Sequence, residues 1–408
     1  MTFPDFIKLR EDFPMLKKKM HKKPLVYLDT AATSQKPQVV INTIRSFYEK
    51  HYGTVHRAVY QLAVHATEEY NNVRQKVKSF LNASKAEEII FTRGTTNAIN
   101  LVAASFGKAF ISAGDEVIIS SIEHHSNIVP WQMMCEERGA ILKVIPANKR
   151  GELLLEQYEG LLTSKTKIVS IAHVANSLGT LNPVKKMISM ARKVEAKVFI
   201  DGAQAASHFP VDVQDLDADF YAFSGHKAYG PTGIGVLYGK EALLEAMPPY
   251  EGGGDMINRV TFAKTTYADL PVKFEAGTPS IADVLGLGAA LDYLTAIGLK
   301  HCAQWEHRLL LQATKALEEI EGLRIVGTAA EKLGIVSFIV EGIHHLDIGT
   351  LLDLKGVAIR TGHQCAQPVM DALNIRGTCR LSLGLYNTPN DIDRFVIALQ
   401  EVLSDLRR

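Results

Sequence analysis

A lysine, an aspartate and a histidine, each just beyond a short apolar run, are joined by one loop cysteine as the residues of this chain best suited to covalent chemistry. Val198-Phe199-Ile200 ends on Asp201 and continues Gly202-Ala203-Gln204, while Phe220-Tyr221-Ala222-Phe223 ends on Ser224 and leads into Gly225-His226-Lys227. Upstream, Ile89-Ile90-Phe91-Thr92 runs into Arg93-Gly94-Thr95-Thr96-Asn97, and the run ending at Ser120 is followed by His124. Ligands of open α/β sheets settle beyond the carboxyl ends of the strands, so these are the positions to read first.

Each of these residues meets a requirement of pyridoxal phosphate. An amine that bonds an aldehyde must be neutral, and an ordinary lysine, with a pKa of about 10.4, is not. Lys227 must therefore be desolvated or set beside other cations. A carboxylate against the pyridine nitrogen keeps the ring protonated and electron-accepting, and Asp201 at its strand end fits. Gly94, Thr95 and Thr96 offer backbone donors and hydroxyls at a helix start, where an anion is favoured. Ser224 and His226 reach the same phosphate, and His124 supplies an aromatic plane over the ring. Singly, each has an ordinary alternative: a turn aspartate, a helix cap, a solvated lysine. In this order, on these elements, they make one site.

The elements that must position them follow a βα pattern. Between about Val26 and Tyr238, β-rich runs alternate with amphipathic ones, which predicts a mainly parallel sheet wrapped by helices. Strands are expected at Glu88–Thr92, Glu116–Ser120, Ile141–Pro146, Lys167–Ala172, Lys197–Asp201, Asp219–Ser224 and Gly233–Tyr238. Helices are expected at Thr96–Phe110, Asn127–Arg138 and Val184–Val194. Past Ala276 a long helical region to about Glu319 precedes strands near Gly334–Val340 and Thr378–Leu383 and a closing helix, Asn390–Leu406. The fold class is α/β: a large domain over residues 22–290, and a smaller α+β domain from 1–21 with 291–408. Glu251–Thr278, with three consecutive glycines, reads as a long functional excursion.

Composition excludes several function classes. With 45 Lys and Arg against 44 Asp and Glu in 408 residues, no global field favours nucleic acid or an anionic membrane surface. The apolar stretch Ile281–Leu299 is interrupted by Asp283 and Asp292 and suits a packed helix better than a span. The first residues lack the pattern of a signal peptide, and four scattered cysteines form no disulfide framework, so a cytoplasmic, reducing setting is expected. The adjacent pairs His124-His125 and His344-His345 lack metal-ligand spacing, so no metal is expected.

Asp201-Gly202-Ala203-Gln204, followed by Ser224-Gly225-His226-Lys227 and its glycine-rich continuation, resembles the signature of class V aminotransferase-like, fold-type I pyridoxal-phosphate enzymes. Arg360-Thr361-Gly362-His363-Gln364-Cys365, with Glu251-Gly252-Gly253-Gly254-Asp255 and Phe274-Glu275-Ala276-Gly277-Thr278, resembles the SufS-type (group II) cysteine desulfurases, also described as selenocysteine lyases. Similarity runs from about Tyr27 to the C-terminus. The resemblance implies that Lys227 forms the Schiff base and moves the Cα proton, Asp201 pairs with the pyridinium and Gln204 bonds the ring hydroxyl. It also implies that His124 stacks and shuttles protons, that Thr95, Thr96, Ser224 and His226 hold the phosphate, and that Thr278 does so from the other subunit of a homodimer. Arg380, with Asn176 and with Arg360 close by, would clamp the substrate carboxylate bidentately.

Cys365 separates desulfuration from transamination. Its thiolate would attack the sulfur of L-cysteine, release L-alanine and keep the sulfur as a persulfide for a SUF-type acceptor protein in iron–sulfur cluster assembly. That requires a pKa below the free value of about 8.5, and Arg360 and His363 are the candidates for lowering it. Cys135, Cys302 and Cys379 sit in apolar or helical runs and read as small buried hydrophobes. Two positions depart from the family pattern: Gln364, where a second histidine is commoner, and Asn97, where an acidic residue is common near a dimer contact at Arg57. The competing readings are a lyase acting on L-selenocysteine and an inactive scaffold for sulfur-transfer partners.

Overall fold

A computed structural model describes residues 3–407. Its centre is a seven-stranded sheet of β1 (Ile89–Thr92), β2 (Glu116–Ser120), β3 (Ile141–Ile145), β4 (Thr166–Ala172), β5 (Lys197–Asp201), β6 (Phe220–Ser224) and β7 (Gly235–Gly239). The spatial order is β1-β7-β6-β5-β4-β2-β3, with β7 antiparallel to both neighbours and every other pairing parallel. Near-continuous apolar runs form these strands because both faces are covered. Tyr70, Val73, Ile171 and Tyr221 pack on one side, and Leu101, Phe106, Trp131 and Phe199 on the other. Only edge strand β3 is substantially exposed, and its Lys143 pairs with Glu116 at 2.7 Å.

Register sets the site. Ala172, Asp201 and Ala222 lie side by side on β4, β5 and β6. Thr92, Gly235 and Ser224 lie level on β1, β7 and β6. The order reverses between β4 and β2, which opens a crevice between the loops that follow them.

The helices that cover this sheet include α1 (Gln61–Leu81), α2 (Thr95–Phe110) and α3 (Ile281–Ile297). The expected long helical region is two helices, α3 and α4 (Leu299–Glu318), bent by 77°. The break falls at Gly298, whose φ of +87° side-chain-bearing residues rarely adopt. No single helix among the described residues is long and apolar enough to cross a membrane. Helix α1 was absent from the sequence expectation, as was the hairpin Ile257–Val260 with Thr265–Tyr267 inside the Glu251–Thr278 excursion.

A second sheet is formed by β8 (Leu323–Val326), β9 (Ile335–Val340), β10 (Arg360–Gly362) and β11 (Thr378–Ser382), antiparallel in the order β8-β9-β11-β10. Helix α4, α5 (His345–Leu354) and α6 (Pro389–Leu406) share its apolar core. Val26 and Leu28 belong to that core, because Val26–Tyr27 pairs in parallel with Val357–Ala358. Arg360 lies directly opposite Arg380. Opposed residues of an antiparallel pair share a face, so the register alone sets two guanidinium groups together.

Gly235 couples the large sheet to the start of α2, since a Cβ there would stand 2.4 Å from Gly94 Cα and 2.8 Å from Gly94 N. Gly235→Ala is expected to lower stability by about 1–3 kcal/mol, the usual scale of overpacking, in urea unfolding of the cofactor-free protein. An unchanged midpoint would show that the helix start is free to shift.

Candidate active site

One cavity of about 200 Å³ lies beyond the carboxyl ends of β4, β5 and β6, and Thr95, Thr96, His124, Asn176, Asp201, Gln204, Ser224, His226, Lys227, Arg360, Cys365 and Arg380 all line it. Lys227 ends a single turn, Gly225–Lys227, directly after β6. That turn is held from the segment after Leu28. The His226 carbonyl accepts from Ser34 N at 3.0 Å, Ser34 Oγ at 3.0 Å, Thr33 Oγ1 at 3.1 Å and Lys36 Nζ at 2.8 Å.

The Lys227 amine is pushed down to about 8, chiefly by removal from water, then by the Arg380 and Arg360 charges. Asp201 opposes this, holding the ammonium partly in place. Burial alone does not select Lys227, because Lys36 is pushed down to about 7 and Lys332 to about 8 by the same cause. Those two amines donate to backbone carbonyls, Lys36 to Ser34 and His226, Lys332 to Gly327, and neither lines the cavity. The Asp201 carboxylate accepts one backbone N–H, from Ala203 at 2.9 Å, and burial raises its pKa. His124 is pushed down to about 3 by burial, then by Lys227, and its ring is therefore neutral. Its Nδ1 accepts the Ser126 N–H at 3.0 Å, which leaves the proton on Nε2.

At one end of the cavity α2 opens at Gly94 with no side-chain cap. Ser224 Oγ lies 2.9 Å from both the N and the Oγ1 of Thr95, and Thr96 Oγ1 lies 2.7 Å from Ser126 Oγ. His226 is pushed down to about 4 by burial, then by Lys227 and Lys36, and its Nδ1 lies 3.2 Å from Thr33 Oγ1. Hydroxyls gathered at a helix start whose N-cap is a glycine make this end an anion seat.

The other end is cationic. Arg380 donates to Asn176 O at 2.9 Å and pairs with Asp29 at 3.1 Å, and its Nε has no partner. Both members of that pair are desolvated: burial raises Asp29 and lowers Arg380, and the guanidinium keeps its proton regardless. Asn176 Nδ2 donates to Gln364 O at 2.5 Å, while Asn176 Oδ1 and Gln364 Oε1 are buried without partners. Arg360 Nη2 approaches Cys365 Sγ to 3.7 Å.

The structure adds detail to three sequence expectations. His363 is exposed and lies outside the cavity lining, so Arg360 is the cation placed beside the thiol. Gln204 donates one amide N–H to Ala31 O at 2.7 Å, which leaves its second N–H and its carbonyl oxygen for a ring hydroxyl. Thr278 is exposed and lines a separate groove with Arg93, Asn97 and Glu251. Asp29 and Ser126 were missed, since nothing local in Tyr27-Leu28-Asp29 marks a partner 351 residues away. Among the described residues no three His, Cys, Asp or Glu are grouped to hold a metal ion.

The aminotransferase class-V family model matches residues 26–395. Over 403 residues the chain is 50% identical to a protein of Escherichia coli O8 named cysteine desulfurase, covering 98% of this chain and 99% of that one. It is 48% identical to a cysteine desulfurase of Synechococcus elongatus, covering 98% of this chain but 64% of that relative's length. The crystal structure of the Escherichia coli cysteine desulfurase CsdA, in an S-sulfonic acid form, matches with a TM-score of 0.92 at 40% identity over 99% of each chain.

Reductive methylation of the cofactor-free protein, read by peptide mass, tests the electrostatics. Lys227 should react with a half-maximal rate near pH 8, and Asp201→Asn should move that midpoint lower because the opposing charge is gone. A Lys227 midpoint near 10.5, the value of an unperturbed lysine, would contradict the desolvation.

Proposed function

The chain belongs to the class-V aminotransferase family, and from that premise we propose that it is a pyridoxal-phosphate-dependent cysteine desulfurase that converts L-cysteine to L-alanine and collects the sulfur on Cys365. The observation that carries this reading is the convergence of a neutralisable amine, a thiol and two guanidinium groups on one cavity.

The donor set fits pyridoxal phosphate. Asp201 is a buried carboxylate with one backbone partner, and the uncapped start of α2 is ringed by hydroxyls. Lys227 Nζ would bond the aldehyde carbon, Asp201 the ring nitrogen and Gln204 the ring hydroxyl. His124 would stack on the ring, and Thr95, Thr96, Ser224 and His226 would hold the phosphate. When bound, pyridoxal phosphate supplies an electron-accepting ring that labilises bonds at the substrate Cα.

The chain's own residues would do the rest. Arg380, oriented by Asp29 and Asn176, would take the substrate carboxylate, with Arg360 adding charge. Lys227 Nζ would take the Cα proton, which an amine near 8 does at modest cost around neutral pH. His124 Nε2 would hold or return a proton. Cys365 Sγ would bond the substrate sulfur as the C–S bond breaks. The electron pair of that bond stays with carbon, which takes a proton and leaves as alanine, while Cys365 keeps a persulfide.

A SUF-type acceptor protein would collect that sulfur at the cavity mouth, where Cys365 is half-buried beside exposed His363 and Gln367. Free thiol chemistry of this kind suits the reducing cytoplasm. L-Selenocysteine would fit the same contacts. A homodimer is supported by two features. Thr278 stands outside its own cavity, and Tyr48, Tyr52, Val59, Tyr60, Leu62 and Val64 expose apolar surface of the kind partners cover.

Cys365→Ala should abolish sulfur addition to the enzyme and cut sulfide release by on the order of 10²-fold or more, as loss of a positioned reacting group does, while the visible cofactor absorbance remains. Unchanged desulfuration would reject Cys365 as the acceptor. Thr278→Ala should weaken cofactor retention about tenfold, the scale of one charge-assisted hydrogen bond, and sedimentation should give twice the chain mass. A monomer that retains the cofactor fully would reject the shared site.

A further inference from the structure

His125 takes no part in the site described above, yet it is bonded twice to the segment that carries Cys365. Its backbone N–H donates to Cys365 O at 2.8 Å, and its Nε2 accepts the N–H of Gln367 at 2.9 Å. Accepting there requires a lone pair on Nε2, so the ring proton is on Nδ1. The same loop presents His124 to the cavity. One short connection after β2 therefore serves both the ring face and the thiol segment.

The thiol segment needs such a hold. Gln364 and Cys365 have φ values of +58° and +55°, consecutive left-handed positions that residues with side chains seldom occupy. Conformations of that kind persist only when surrounding contacts fix them. The Gln364 side is fixed, since its carbonyl accepts Asn176 Nδ2 and its own amide donates to Thr378 O at 3.3 Å. On the Cys365 side, where Arg360 touches only the thiol, the two His125 bonds tie the backbone to another element. Gln367 also begins the short helix Gln367–Ala372, whose first N–H groups have no partner inside the helix, and His125 supplies one.

We propose that His125 is a positioning residue for sulfur transfer, holding the Cys365 segment in its left-handed, cavity-facing conformation by accepting the Gln367 N–H. This rests on the reading of Cys365 as the sulfur acceptor. The ring acts through Gln367 and need not touch substrate.

The test uses the full-length holoenzyme with His125→Leu and His125→Gln. Both keep the backbone N–H, but only glutamine offers an oxygen near the position of Nε2. Gln367→Pro removes the donor from the opposite side, at a first helical position where proline is tolerated. It stands in if the leucine variant does not fold. Hydrogen exchange over residues 363–368 should accelerate about tenfold in the leucine variant and stay near wild type in the glutamine variant, as expected for loss of one hydrogen bond. Single-turnover sulfur addition to Cys365 should slow about tenfold with leucine and recover with glutamine, while the cysteine-induced change in cofactor absorbance is unaltered. Wild-type exchange and sulfur addition in the leucine or proline variant would overturn the proposal, as would failure of glutamine to rescue. If wild-type Cys365 never gains sulfur, the desulfurase reading fails, and the exchange rates still decide whether His125 holds the segment.

Discussion

Everything at the site depends on holding one amine out of water between a buried carboxylate and two guanidinium groups. Burial pulls Lys227 down while Asp201 pulls it up, and the result near 8 keeps neutral and charged forms both accessible. A fully exposed lysine would stay protonated, and one without Asp201 would lose its proton too readily to hand it back. The strand ends achieve this because β5 and β6 are buried on both faces and run in register, Asp201 at the end of β5 lying beside Ala222, two residues before the end of β6.

The second sheet contributes by register. With Arg360 opposite Arg380, two like charges face each other, an arrangement that costs energy unless anions answer it. Asp29 answers from one side, and a substrate carboxylate would answer from the other. The segment from Asp29 to Lys36 thus connects the two ends of the site, binding Arg380 through Asp29 and the Lys227 turn through the His226 carbonyl. Asn176 and His125 secure the Cys365 segment from the loops after β4 and β2. Cofactor end, substrate end and thiol are therefore fixed to each other through few bonds.

The strand ends were legible in the sequence because buried parallel strands leave near-continuous apolar runs, and a polar residue closing such a run stands out. Asp201, Ser224 and Lys227 were found that way. Helix α1 was not, since its core stripe includes small Ala63 and Ala66 and the buried cation Arg74. Arg74 is tolerated inside through its pairing with Glu275, 201 residues away, and its bond to Ile89 O at 2.6 Å. Asp29 was hidden for the same reason, and the preference for Arg360 over His363 beside the thiol depends on a short edge strand whose register no local pattern reports. What escaped reading is what long-range pairing decides.

The most direct measurement is borohydride reduction of enzyme reconstituted with pyridoxal phosphate, followed by peptide mapping of the fixed cofactor. Lys36 is the informative competitor, since its amine is depressed further than that of Lys227 but is turned to backbone carbonyls. A reduced adduct on Lys227 alone is the required result. An adduct on Lys36, or none on Lys227, would contradict the assignment of the reacting amine and the site built around it.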